Sequence, residues 1–257
     1  MNLEDIINKQ KDFFLTGATL DPEFRIGALE LLEGEIKDNI ILKSITEAYL
    51  ADMQEHTKNA SETNKISKIY LNIPSQLAKE NKKYQFSKID KYAGARDYES
   101  AMEWLLASNL IIPCYYVNHF ETPLKAFMDD TNFKIYMSDV GLLTENLGIP
   151  YNNILLDKDF MFKGAIAENY VATELQKSNI NLYYFQKPQV MEVDFLVDIN
   201  DGIIPIEVKA SDRVKSTSLN KFMKEEKLKL GYRISTKNFG LENNIKSIPL
   251  YAVFCIK

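Results

Sequence analysis

The sequence predicts an α/β protein: a helical N-terminal segment, a module of helices with a β-ribbon, and a C-terminal domain on a mixed sheet. Three observations carry that prediction. Within residues 3–57, Leu29, Leu32, Ile36, Ile40, Ile45 and Tyr49 recur near every third or fourth position. The stretch from Gly164 to Leu175 keeps a helical period around an acid. Two later runs, Glu192 to Val197 and Ile204 to Lys209, read as strands yet carry acids and a lysine.

In chain order, Asp21-Pro22 marks a helix start, because proline fits the first helical position. This first segment runs over residues 1–57. Residues 58–145 form the second unit, with helices over 65–72, 75–81 and 98–108 and strands over 110–117 and 133–137. Three helices and a ribbon resemble a winged helix, whose third helix would read a DNA groove. That helix carries Glu99, Glu103 and a core-like Trp104, poor material for phosphate. Residues 58–96 are locally basic, with nine Lys or Arg against three acids. Lys79, Lys82, Lys83, Lys88, Lys91 and Arg96 are therefore the candidates for contacts to a DNA or RNA backbone. A solvated basic face or a protein-docking module is the alternative.

A loop with Gly148, Pro150, Asn152 and Asn153 leads into the third unit, residues 146–257. There the Glu168 helix precedes an aromatic strand from Leu182 to Gln186. Asn200-Asp201-Gly202 turns the two acid-bearing runs into a hairpin. A helix with Lys221 and Lys224 follows, behind Arg213 and Lys215, and strands are expected over 231–235 and 248–254.

Composition bounds the function. The chain has 257 residues and a net charge of −5, which argues against indiscriminate binding of nucleic acid. No apolar run reaches the roughly 18 residues of a membrane span, and the acidic, amphipathic N-terminus is unlike a secretory signal, so a cytoplasmic protein is expected. Two cysteines and two histidines give poor material for a disulfide framework or a zinc site.

The chemistry lies in the third unit. Alternation puts Glu192 and Asp194 on one strand face, and Glu207 with Lys209 on another, while the hairpin brings Asp194 beside Glu207. Glu168 falls on the apolar face of its helix, where a surface acid would not be. Buried carboxylates need partners. Mg²⁺ or Mn²⁺ held by Asp194, Glu207 and Glu168 is one solution, with Lys209 activating water. A structural ion pair with Lys209 is the other.

A helix with an acid, a strand with Asp, Glu-x-Lys on the next strand and then a basic helix resemble the core of the PD-(D/E)XK nuclease-like fold. More narrowly, FKGAIAENYVATEL, YYFQ, EVDFLV, IIPIEVKAS and SLNKF, with IPSQLAKENKKYQFSKI, AMEWLLASNLI, PLKAF and FKIYMSDVGLL upstream, resemble the C-terminal region of a large prokaryotic family of AAA+ type ATPases. The likeness covers about residues 60–225. It implies a restriction-endonuclease-like domain with a mixed sheet over 146–257, and puts Glu168, Asp194, Glu207 and Lys209 in the catalytic positions. No G-x-x-x-x-G-K-[ST] loop occurs, so the chain has no ATP site of that type and is not by itself such an ATPase. A piece of a longer ATPase, or a product that has lost the core, is expected. Two readings follow: a Mg-dependent phosphodiesterase on DNA or RNA, or a non-catalytic module that binds nucleic acid or protein and docks to an ATPase core in cis or in trans. The fold alone does not choose between them.

Overall fold

The computed structural model describes residues 39–57, 59–79, 82–149, 162–199, 202–210 and 216–257. Two compact units, 1–45 and 46–257, make up the chain; apart from the start of the first helix, the elements described belong to the second. The Asp21-Pro22 helix start lies outside the described residues. Within them, Asn39–Glu55 forms helix α1.

Helix α2 (Ala60–Leu77) begins where the Asn59 side chain accepts the Glu62 N–H, satisfying a donor that the first turn leaves free. Its buried stripe of Ile66, Ile69, Tyr70, Ile73 and Leu77 follows the helical period. The two helices expected on either side of Pro74 are one. Pro74 forfeits the bond to the Tyr70 carbonyl, but it is itself buried in the apolar stripe, whose packing carries the helix through it to Leu77. Helices α3 (Glu99–Ala107), α4 (Val140–Asn146), α5 (Lys163–Lys177) and α6 (Thr217–Glu225) follow.

The strands are β1 (Ile111–Val117), β2 (Met128–Met137), β3 (Leu182–Lys187), β4 (Met191–Ile199), β5 (Gly202–Val208), β6 (Gly231–Ser235), β7 (Gly240–Glu242) and β8 (Ile245–Pro249). They form one mixed sheet in the order β2-β1-β3-β4-β5-β6-β8-β7. β1/β3, β5/β6 and β6/β8 are parallel and the remaining pairs antiparallel. The β4–β5 hairpin forms as the sequence predicts, with Phe195 opposite Ile206 and Ile199 opposite Gly202. Gly202 has φ +95°, a conformation that L side chains rarely adopt. Asn200 and Asp201 lie outside the described residues.

Two expectations are corrected. The ribbon read as a wing is β1/β2, and β1 also pairs with β3, so the sheet runs across the boundary expected at 145/146. The reason is local: Ile111, Ile112, Cys114 and Val117 are buried, and they bury both faces of a strand that a two-stranded wing would leave half exposed. The final strand, expected over 248–254, is Ile245–Pro249. A 3₁₀ turn, Leu250–Cys255, then carries Ala252 and Val253 into the interior.

The sheet has two covered faces. Phe222 of α6 packs with Tyr183, Val193 and Leu196 on one. On the other, the side of α5, the Phe195 and Tyr136 rings lie 5.4 Å apart. The outer edge of β2 is covered by the segment before α3, where the Tyr84 N–H donates to the Phe133 carbonyl at 2.8 Å. Among the described residues no helix is long and apolar enough to cross a membrane.

Candidate functional site

An irregularity in β4 decides where the acids go. Tyr183 pairs with Leu196 but Phe185 pairs with Val193, so three steps along β4 match two along β3. Val193 and Leu196 both face α6, while Phe195 meets Tyr136 on the α5 side. The extra residue is the mark of a β-bulge, which changes the phase of a strand and re-aims a side chain. Asp194 is turned toward α5, where Glu168, Lys82 and Lys134 are its electrostatic neighbours. Its Oδ2 accepts the Val208 N–H at 2.8 Å.

Glu168, on α5, is 3% exposed and fully engaged. Lys82 and the Tyr136 hydroxyl donate to its two oxygens. Lys134 stands 3.5 Å from the same Oε1 that Tyr136 reaches. Lys134 Nζ also donates to Glu192 at 2.8 Å and lies 4.7 Å from the centre of the Tyr184 ring. Neighbouring amides hold these groups in register. Asn169, next to Glu168, clamps the end of β2: its Oδ1 accepts the Met137 N–H at 2.8 Å and its Nδ2 donates to the Met137 carbonyl at 2.9 Å. Gln76 does the same for the Lys82 segment, taking the Gln85 N–H at 2.8 Å and giving to the Gln85 carbonyl at 3.1 Å.

Burial and charge act in opposite directions on the two acids. Burial works to raise the Glu168 pKa, but Lys82 and Lys134, with the hydrogen bonds from Lys82 and Tyr136, hold it down at about 2. Asp194 is pushed up to about 6 by burial and by Glu168, against the pull of Lys82, Lys134 and the Val208 N–H. Burial disfavours the charges of Lys82 and Lys134, yet the surrounding carboxylates raise both above the ordinary lysine value. Burial and Glu168 raise the Tyr136 hydroxyl, which stays a donor.

Glu207 is elsewhere. Ile206 pairs with Phe195 on the α5 side, so alternation carries Glu207 to the α6 side, beside its register partner Arg233. It is 5% exposed; Oε1 meets Lys209 Nζ at 3.0 Å, and Oε2 is buried without a hydrogen-bond partner among the described residues. The convergence of Asp194, Glu207 and Lys209 expected from the hairpin is therefore not formed, because the bulge changes the face on one strand only. The donor set does not fit the expected Mg²⁺ or Mn²⁺. Two lysine ammoniums stand among the acids on the α5 face, and Glu207 lies across the sheet. Among the described residues no three His, Cys, Asp or Glu side chains gather as they would around a metal ion.

The six basic candidates separate as well. Lys79, Lys88, Lys91 and Arg96 are exposed, Lys91 lying 5.7 Å from the Tyr92 ring centre. Lys83 is half-buried with Asp129 in its field. Lys82 is turned inward, paired with Glu168. Lys134, Tyr136 and Asn169 were not anticipated. Lys134 had a signal: a lysine inside the apolar strand run Phe133-Lys134-Ile135-Tyr136-Met137 is the same conflict that marks Glu168 on its helix.

Residues 30–153 match the family described as Domain of unknown function (DUF8612). No curated protein matches. One solved structure, the crystal structure of protein VC1899 from Vibrio cholerae, aligns over 84% of this chain and 53% of its own at 11% identity, with a TM-score of 0.23. The chain thus spans about half the length of that protein, and a likeness this low carries no argument. Residues 163–253, which hold Glu168, Asp194, Glu207 and Lys209, match Domain of unknown function (DUF4143), a domain commonly found at the C-terminus of AAA-ATPase-like proteins.

Proposed function

We propose that this chain is a non-catalytic docking module of the cytoplasm. In this reading a nuclease-like sheet is kept as a scaffold and serves an ATPase, whose core is supplied in cis or in trans. The observation that carries it is the engagement of Glu168 by Lys82, Lys134 and Tyr136, with Glu207 on the opposite face. Carboxylates neutralised by internal lysines leave no place for a divalent cation to bridge them to a phosphodiester. The run α5-β3-β4-β5-α6-β6 supports the PD-(D/E)XK-like assignment, and the domain match over 163–253 supports the association with an ATPase.

A second reading, a Mg-dependent phosphodiesterase acting on DNA or RNA, is favoured by two observations. Glu207 Oε2 is a buried acceptor without a hydrogen-bond partner among the described residues, and burial with Glu168 pushes the Asp194 carboxyl up to about 6, toward the range of a general base. It requires Lys82 and Lys134 to give way to a metal. Calorimetric titration of Mn²⁺ into the wild type, Asp194→Asn and Glu207→Gln tests both readings, followed by incubation with single- and double-stranded DNA and RNA. The docking reading expects no saturable binding that the variants alter, and no cleavage. Binding lost in either variant, with cleavage by the wild type alone, replaces it with the nuclease.

A further inference from the structure

The helix expected to read DNA borders a groove of another character. Helix α3 and the β1/β2 ribbon enclose a cavity of about 410 Å³. Met102 and Leu106 of α3 line one wall, and Tyr115 and Phe133 of the ribbon the other. Phe86 completes an aromatic lining, its ring 6.3 Å from Phe133, which in turn lies 6.2 Å from Tyr115, both edge-on. This volume falls within the ~300–1,000 Å³ of ordinary ligand pockets and accommodates a few side chains from one segment.

The rim is acidic. Glu99, Met102, Glu103 and Leu106 recur at helical spacing, so one face of α3 presents the apolar wall and two exposed carboxylates together. Across the groove, exposed Asp130 adds a third, and together with burial it raises the Tyr115 hydroxyl. Among the described residues Arg96 is the one cation in the lining. A phosphate backbone would meet three carboxylates here. A basic, apolar segment would meet charges of opposite sign around an aromatic floor, an arrangement that also favours cations over the rings.

We propose that this groove docks a segment of a partner protein that presents apolar side chains on one helix face with Lys or Arg beside them. The inference rests on the reading of the chain as a docking module, and its test involves neither a metal nor the Glu168 cluster. Failure here is thus distinct from failure there. Fluorescence anisotropy with the full chain would compare two labelled helical peptides that share one leucine face, the first flanked by Lys and the second by Glu. The Lys-flanked peptide binds and the Glu-flanked peptide does not. The double variant Glu99→Lys/Glu103→Lys weakens the first by about tenfold or more and brings the second into measurable binding. Leu106→Asp, checked by circular dichroism for an unchanged fold, abolishes binding of the Lys-flanked peptide. Equal affinity for the two peptides, no binding of the Lys-flanked one, or indifference to charge reversal overturns the proposal. So does duplex DNA bound in the groove and weakened by Arg96→Ala.

Discussion

Glu168 and Asp194 share the same two lysines, yet the lysines are divided unequally between them. Lys82 and Tyr136 bond Glu168 directly and Lys134 stands beside it, while the contact assigned to Asp194 is a backbone N–H. The consequence for stability has two signs. The Glu168 pKa lies below its ordinary 4.5, so its contribution is present above that value and lost as pH falls through about 2. The Asp194 pKa lies above its ordinary 3.8, so its contribution is present below that value and lost as pH rises through about 6. At neutral pH the ionised Asp194 therefore costs about 3 kcal/mol. Asp194→Asn keeps an acceptor for the Val208 N–H and cannot ionise. Urea unfolding should find this variant about 3 kcal/mol more stable than the wild type at pH 7.5, with the difference closing toward pH 4. A difference that does not change with pH would show that Asp194 is not held in this field.

At the scale of elements, the cluster depends on amide clamps that bind each element to the next. Asn169 is wholly buried and joins α5 to β2 through both polar groups of Met137, while its own carbonyl accepts from Thr173 at 2.9 Å. Glu168 is the next residue along the helix, so the clamp that fixes α5 also sets Glu168 against Tyr136 and Lys134. Asn169→Ala leaves the buried Met137 N–H of β2 unpaired and its carbonyl with the long 3.5 Å bond from the Thr173 hydroxyl, a loss of about 1–3 kcal/mol. It should also return the Glu168 carboxyl, followed by NMR, toward the ordinary range. A stability loss below about 0.5 kcal/mol would mean that packing, not the amide, joins the two elements. Nothing in the sequence marks this role, because an asparagine on a helix has no distinguishing spacing. Glu168 was legible for the opposite reason: a charge at an apolar position conflicts with its pattern, and the conflict can be read.

At the scale of the molecule, the alternation of β4 and β5 and the glycine turn between them were enough to place the hairpin. The parallel return of β6 after α6 is the connection that right-handed crossovers make. Two features escaped. A β-bulge has no local signature in Val193-Asp194-Phe195-Leu196, yet it separates Asp194 from Glu207 and with them the expected metal site. The joining of β1 to β3 is a contact between segments far apart in sequence, which periodicity cannot report. That joining also makes the sheet one body. A fragment of residues 146–257 lacks β1 and β2, so it exposes the edge of β3 and leaves Glu168 buried without Lys82, Lys134 or Tyr136. An unpaired strand edge invites aggregation, and breaking a buried ion pair costs about 3–5 kcal/mol, a large share of a domain's stability. The fragment should therefore be aggregated or unfolded by circular dichroism and show no cooperative transition in urea, whereas residues 39–257 should unfold in one. A fragment of 146–257 that melts cooperatively would mean that the β1/β2 ribbon is an addition to a self-sufficient sheet, and that the lysines of the first half tune the carboxylates without being needed to bury them.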